Sequence, residues 1–239
     1  MNKNAITEAV VLAGGFGTRL QHIVSDVPKP MAPINGTPFL SFLFKKLIAA
    51  GIEHVVLSTG YLHEKIESYF GDSFESLRIS YSREEEPLGT GGAIFLAMNK
   101  TETDNVYVLN GDTLFDIDFR TLGKLHAIHD AFLSVALREE EDVSRYGSVL
   151  INKAGKITAF TEKNESQGKG LINGGIYVLN KKQFLRLEMP AKFSFEKEVL
   201  EKLYKNTSFY GLVCQAYFID IGVPDDFSRA QVEFPKLEF

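Results

Sequence analysis

The chain has 239 residues, 44% hydrophobic and 24% charged, with a formal charge of −5, which allows a large apolar core and is ordinary for a globular protein. The acidic balance argues against broad nucleic-acid binding, which takes a basic face or stripe. The single cysteine, Cys214, excludes an intramolecular disulfide and a cysteine metal cluster. No signal-peptide core opens the chain and no apolar run nears the ~18 residues of a membrane helix, so the cytoplasm is the expected compartment and no membrane partner is expected.

The first predicted element is Ala9-Val10-Val11-Leu12, short, β-branched and apolar like a strand buried on both faces. It runs into Ala13-Gly14-Gly15-Phe16-Gly17-Thr18-Arg19. Glycines let a ligand approach the main chain, successive N–H groups suit an anion, and Arg19 adds a guanidinium able to grip phosphate. The loop reads as a phosphate site but fits neither common nucleotide pattern. The dinucleotide fingerprint needs a third glycine where Leu20 stands, and no G-K-[ST] follows as a Walker loop requires. Next, Lys29 lies between Pro28 and Pro30, whose fixed φ makes its direction matter.

A helix is predicted over residues 38–50, with Phe39, Leu40, Leu43, Leu47 and Ile48 as its apolar stripe and Gly51 as its cap. A strand over 54–58, a helix over 63–70 and a strand over 78–82 continue the alternation expected of βαβ units and a parallel sheet. The acids Glu84-Glu85-Glu86 read as a solvated face. Gly89-Thr90-Gly91-Gly92 reads as a turn opening a helix over 93–98, at a strand end where open α/β sheets place ligands. A strand over 106–109 ends in Asn110-Gly111-Asp112, which puts a carboxylate where a hard cation could bind. Residues 114–118 read as a turn and N-cap for a helix over 119–128. His126 and His129 share a helix face without a third ligand, so a metal role is discounted.

After a fifth strand over 132–137 the texture changes to short strands over 147–151, 157–161 and 175–179. Glu162-Lys163, at a strand end, reads from spacing alone as a surface ion pair. Asn173-Gly174-Gly175 reads as another glycine turn. Helices are predicted over 181–187 and 195–204. A strand then ends in Asp220-Ile221-Gly222, a second acid after an apolar run, before a helix over 224–232 that begins with proline.

Taken in order, Leu12-Ala13-Gly14-Gly15-x-Gly17-Thr18-Arg19, Pro28-Lys29-Pro30, Gly89-Thr90-Gly91-Gly92, Asn110-Gly111-Asp112, Glu162-Lys163 and Asp220-Ile221-Gly222 resemble the motifs of sugar-1-phosphate nucleotidylyltransferases. Among them the chain looks most like the D-glycero-D-manno-heptose 1-phosphate guanylyltransferases, through stretches such as Glu86-Pro87-Leu88-Gly89-Thr90-Gly91-Gly92-Ala93-Ile94 and Gly170-Leu171-Ile172-Asn173-Gly174-Gly175-Ile176-Tyr177. The resemblance implies an α/β fold with a Rossmann-like mixed, mostly parallel sheet flanked by helices, and a smaller sugar-binding lobe. It implies one nucleotidyltransferase domain, residues 1–137 forming the nucleotide half and 138–239 the sugar-phosphate half. The reaction implied is transfer of GMP from GTP to the heptose 1-phosphate, with pyrophosphate released.

The resemblance makes Arg19, Lys29, Asp112 and Asp220 the catalytic set, with Mg²⁺ on Asp112 and Asp220. It assigns the nucleotide to Leu12, Ala13, Gly14, Gly15, Gly17, Thr18, Arg19, Lys29, Gly89, Thr90 and Asp112. Gly147, Glu162, Lys163 and Asn173 fall on the sugar phosphate, which turns Glu162-Lys163 from a surface pair into a site. Glu84 stands five residues before Gly89, where related uridylyltransferases carry a base-reading glutamine, and is expected to read guanine. Competing readings are a mannose 1-phosphate guanylyltransferase, a hexose 1-phosphate enzyme using UTP or CTP, and a non-catalytic sugar-nucleotide-binding subunit. The last is disfavoured because both acids and both cations are retained. No nucleic-acid partner is expected, and self-association is left open.

Overall fold

The computed structural model describes residues 5–15, 26–144, 148–161 and 168–237. The first half runs β1 (Glu8–Leu12), a 3₁₀ turn (Lys29–Met31), the hairpin β2 (Pro33–Ile34) and β3 (Thr37–Pro38), α1 (Phe39–Ala50), β4 (His54–Thr59), α2 (His63–Phe70), β5 (Ser73–Phe74), β6 (Leu77–Arg83) and α3 (Gly89–Met98). Next come β7 (Asn105–Asn110), β8 (Thr113–Phe115), α4 (Phe119–Ile128) and β9 (Leu133–Glu140). The rest is β10 (Ser148–Ile151), β11 (Ile157–Thr161), β12 (Gly170–Asn180), α5 (Lys181–Leu185), a π-helical segment (Phe195–Leu200) continued by α6 (Glu201–Leu203), β13 (Phe209–Val213), β14 (Phe218–Asp220) and α7 (Pro224–Glu233).

Among the described residues ten strands form one sheet, ordered β11-β10-β12-β7-β1-β4-β6-β5, with β9 on the other edge of β12 and β13 beyond β9. Strands β7, β1, β4 and β6 are parallel, whereas β12 runs antiparallel to both β7 and β9. The expected mixed, mostly parallel sheet flanked by helices is what the chain forms. Alternation along β1 explains the layers. Ala9 and Val11 face a core with Leu43, Phe44 and Leu47 of α1, Ile66 of α2 and Leu122 of α4, while Val10 faces one with Ile94 and Met98 of α3 and Phe184 of α5. A third cluster joins Ile34, Phe39, Leu114, Ile219, Ile221 and Phe227, so that β14 and α7 pack on the end of α1 and on β8.

Two glycine stretches differ from their sequence reading. The run Gly89-Thr90-Gly91-Gly92 is the first turn of α3 itself, which starts at Gly89 instead of 93. A Cβ on Gly91 would lie 2.2 Å from the Phe193 ring and one on Gly92 2.4 Å from the Ala191 carbonyl oxygen, so chain packed over the helix start excludes side chains there. Likewise Asn173-Gly174-Gly175 is no turn between elements but a bulge inside β12, an eleven-residue strand. Asn173 pairs with Leu137 and Tyr177 with Val135, so Gly174, Gly175 and Ile176 face Ala136 alone. Gly175 has φ +74°, open to glycine without strain, and its missing Cβ makes room for the Asn110 amide.

At the edge where β1 begins, a buried carboxylate ties three segments together. Glu8 Oε1 pairs with His54 Nδ1 at 2.7 Å, and Oε2 accepts from the N–H groups of Glu102 (2.7 Å) and Thr103 (2.6 Å) and from the Thr103 hydroxyl. Burial alone would raise the Glu8 pKa, but these hydrogen bonds outweigh it and hold the carboxyl below its usual range. A lowered folded-state pKa means stability that is present above the unfolded value and lost as pH falls through the folded one. Glu8→Gln should therefore cost on the order of 2 kcal/mol at neutral pH. It should also flatten the decline of stability in acid, with urea unfolding across a pH series as the measurement.

Candidate active site

Because β1, β4, β6 and β7 are parallel, their carboxyl ends lie along one edge of the sheet, and Gly14, Gly15, Lys29, Glu84, Gly89, Thr90 and Asp112 follow β1, β6 or β7 in the chain. Main-chain bonds knit the loops: Ala13 N–H to the Ser58 carbonyl (2.8 Å), Glu84 N–H to Thr59 (2.8 Å) and Gly111 N–H to Leu12 (2.9 Å). A Cβ on Gly111 would sit 2.5 Å from the Leu12 oxygen, so this approach requires glycine. Gly14 is wedged against Gly60 and the Glu84 carboxylate, and Gly15 is exposed beside it. Gly17, Thr18 and Arg19 lie outside the described residues, as do Gly147, Glu162 and Lys163.

Three expected residues from distant parts of the chain meet. Buried Pro30 and Met31 anchor the 3₁₀ turn that carries Lys29. Lys29 Nζ donates to Asp112 Oδ2 at 2.9 Å, both side chains largely shielded (14% and 28% exposed). Asp220 reaches them because β14 pairs with β8, Asp220 opposite Thr113, and Ile221 N–H donates to the Asp112 carbonyl at 3.0 Å. Asp220 Oδ1 accepts from Gly222 N–H at 2.8 Å. A Cβ on Gly222 would come within 2.5 Å of Lys29 Nζ and 2.8 Å of Asp220 Oδ1, which brings the ammonium and the second carboxylate together over the space that one glycine leaves open. Two carboxylates against one ammonium form a hard-oxygen donor pair of the kind Mg²⁺ accepts alongside substrate phosphates.

The other expected residues are held by the protein itself. The exposed Glu85 and Glu86 fit the solvated face, but Glu84 is half-buried. Its Oε2 accepts from Leu88 N–H at 2.9 Å and its Oε1 from the Ser58 hydroxyl at 3.4 Å, closing its own loop. The Gly91 and Gly92 N–H groups both point at the Phe193 carbonyl (3.0 and 3.4 Å), so these amides of the α3 first turn are already engaged. The Thr90 hydroxyl donates to Glu196 Oε2 at 2.6 Å and accepts from Phe195 N–H at 2.9 Å. Asn173 Oδ1 accepts from Gly175 N–H (3.0 Å) and its Nδ2 donates to the Tyr177 hydroxyl (2.6 Å).

Sequence reading gave no site role to Gly60 or Glu196, and none to Gly222 or Tyr177 beyond their place in stretches that resemble the family. The only local signal for Glu196 was a serine N-cap, since Ser194 Oγ accepts from Lys197 N–H at 3.2 Å. His126 bonds to Ser134 and Asn105, and burial pushes its pKa down to about 4, so it stays neutral, while His129 stacks on Tyr210.

Comparison with known proteins gives a family match: the nucleotidyl transferase model covers residues 8–236. The chain is 49% identical over 226 residues to the D-glycero-alpha-D-manno-heptose 1-phosphate guanylyltransferase of Aneurinibacillus thermoaerophilus, covering 95% of this chain and 97% of that one. It is 46% identical to the enzyme of the same name from Campylobacter jejuni, over 92% and 96% of the two chains. The crystal structure of HddC from Yersinia pseudotuberculosis complexed with GMP-PN superposes with a TM-score of 0.83 at 38% identity, covering 96% of this chain and all of that one.

The crowding at Gly222 yields a direct expectation. Gly222→Ala must displace the Lys29 ammonium and the Asp220 carboxylate while leaving the three cores untouched. Activity should fall on the order of 10²-fold, the effect of misplacing one preorganised charge. The melting temperature should change by no more than about 4 °C, the upper end of the shift that 1 kcal/mol produces in a domain of this size.

Proposed function

The chain belongs to the nucleotidyl transferase family, and from that membership we propose that it transfers GMP from GTP to D-glycero-alpha-D-manno-heptose 1-phosphate, in the cytoplasm, for bacterial surface polysaccharide synthesis. The observation that carries the chemistry is the convergence of Lys29, Asp112 and Asp220 at one sheet edge. Near-full-length likeness to two heptose 1-phosphate guanylyltransferases supports the choice of base and sugar. A phosphate oxygen of the sugar 1-phosphate forms the new bond to the α-phosphorus, the bond to the bridging oxygen breaks, and its electron pair leaves with pyrophosphate. The sugar phosphate is already anionic, so no general base is needed. The barrier lies in bringing two anions together and in the charge that grows on the leaving group, which positioned cations lower.

Asp112 and Asp220 would hold Mg²⁺, which when bound supplies charge neutralisation to the α-phosphate and the attacking phosphate. Lys29, now paired with Asp112, neutralises the α-phosphate during transfer. Arg19 and the N–H groups of Gly14, Gly15, Gly17 and Thr18 hold the β- and γ-phosphates, with Leu12 and Ala13 against the nucleoside. Glu84 accepts from the guanine edge, Gly89 and Thr90 flank the base-side loop, Lys163 clamps the incoming phosphate, and Gly147, Glu162 and Asn173 line the sugar. On this reading residues 1–137 hold the nucleotide and 138–239 the sugar phosphate within one domain.

The test is pyrophosphate release across a grid of four nucleoside triphosphates and several sugar 1-phosphates, where the heptose with GTP should exceed every other combination. A higher rate with mannose 1-phosphate, or with UTP or CTP, would overturn the assignment of substrate but not of reaction. Asp112→Asn should lower turnover with the preferred pair by ~10²–10³. Wild-type turnover of that variant in saturating Mg²⁺ would remove Asp112 from the metal site.

A further inference from the structure

Residues 189–196 cross the first turn of α3 as a strap, and its contacts join the two ends of the site. Besides taking the Gly91 and Gly92 amides, Phe193 donates its N–H to the Leu88 carbonyl at 3.0 Å, at the end of the loop that Glu84 closes. A Cβ on Gly89 would lie 2.6 Å from the Phe193 carbonyl oxygen. The half-buried Glu196 fastens the strap: one oxygen, Oε2, accepts from both the Thr90 hydroxyl (2.6 Å) and the Ser194 hydroxyl (2.8 Å). Because Thr90 spends its proton on Glu196, its lone pair faces Phe195 N–H and accepts from it. Hydrogen bonds to a carboxylate are roughly twice as strong as neutral ones, so this pair of bonds dominates the polar hold on the strap.

The far side of the same strap reaches the sugar-phosphate end. The Phe195 ring packs edge-on against Tyr177, centroids 5.2 Å apart, and the Tyr177 hydroxyl accepts from Asn173 Nδ2. Burial first, then the charge of Glu196, pushes the Tyr177 hydroxyl pKa upward. Thr90 and Asn173, 83 residues apart in the chain, are thus linked through Glu196, Phe195 and Tyr177.

We propose that Glu196 is a positioning residue that couples the nucleotide end of the site to the sugar-phosphate end, so that filling one tightens binding at the other. Ordering the Leu88–Thr90 loop around a nucleotide fixes the strap, and a fixed strap holds Tyr177 and Asn173 in the geometry the sugar phosphate needs. The sugar phosphate, binding first, fixes the strap from the other side, since coupling between binding sites is reciprocal. The inference rests on the reading of Thr90 and Asn173 as belonging to the two substrate ends.

The experiment is calorimetric titration of the full-length protein with a non-hydrolysable GTP analogue in Mg²⁺, with and without the preferred sugar 1-phosphate. The wild type should bind the analogue ~10-fold more tightly with the sugar phosphate present, within the usual range of coupling between sites. Glu196→Ala should bring that ratio to near one, and should raise KM for both substrates more than it lowers kcat, because binding geometry and not the transferring charge is lost. Glu196→Gln keeps a carbonyl oxygen able to accept from both hydroxyls, so it should restore the coupling. Thr90→Val cuts the same link from the other partner and should match Glu196→Ala, which keeps the test in force if the alanine variant does not fold. Absence of coupling in the wild type, full coupling in Glu196→Ala, or a glutamine variant as impaired as alanine would overturn the proposal. The reading beneath it fails separately: Asn173→Ala with an unchanged KM for sugar phosphate would remove Asn173 from that end.

Discussion

The Gly111 N–H donates to the Leu12 carbonyl, and no side chain fits between them. That contact joins the loop after β7 to the end of β1, and the meeting of Lys29, Asp112 and Asp220 is built on it. It sets Asp112 beside the Pro28-Lys29-Pro30 segment, where Pro30 packs against Gly111. The Asp112 carbonyl then takes the Ile221 N–H and draws in the strand that carries Asp220. Each charged side chain is thus hung from a main-chain contact, and each contact is backed by apolar packing. Ile219 and Ile221 flank Asp220 and are fully buried in the cluster with Leu114 and Phe227. A site built in this way keeps its geometry because moving any one charge means breaking backbone bonds and opening a core together.

Two carboxylates and one ammonium, mostly shielded from water, meet in the described cluster. Carboxylates so placed suit a divalent cation, since Mg²⁺ is commonly held by one or two of them together with substrate phosphates. The start of α3 makes the complementary point. A helix N-terminus is a ready anion site because its first amides lack partners. Here the Phe193 carbonyl occupies the Gly91 and Gly92 amides. That loop is better suited to shaping a pocket than to holding phosphate through those two amides.

Much of this was legible in the sequence where one physical rule governed a stretch. Buried parallel strands are apolar runs, so β1, β4 and β7 could be read directly, and α1 announced itself by its stripe and by Gly51, which adopts φ +88° as a helix cap. Asp112 and Asp220 were legible because each is an acid at the end of such a run. The glycine stretches were harder because glycine answers several needs that look alike in sequence. At Gly91 it yields to an aromatic ring 102 residues away, at Gly175 to a bulge and an asparagine amide, and at Gly111 to a backbone carbonyl. Short elements such as β8 and β13 carry too few residues for a period to show, and their strand geometry comes from partners in β14 and β9. Glu196 carried no local pattern beyond the serine N-cap two residues before it, since its meaning lies in Thr90, 106 residues earlier.

These long-range glycine contacts bear on how the two halves of the site can move. A loop held only by its ends reorders independently of its neighbours. The loop from Glu84 to Thr90 is held instead at Glu84, Leu88 and Thr90, twice by the strap. The glycines at its end remove the side chains that would otherwise hold the strap away. Close approach lets backbone amides and a carboxylate make several bonds at once, and bonds joined in such a network strengthen one another. Two anionic substrates that must meet in line within about 3.5 Å gain from a frame of this kind, since it converts two separate ordering costs into one.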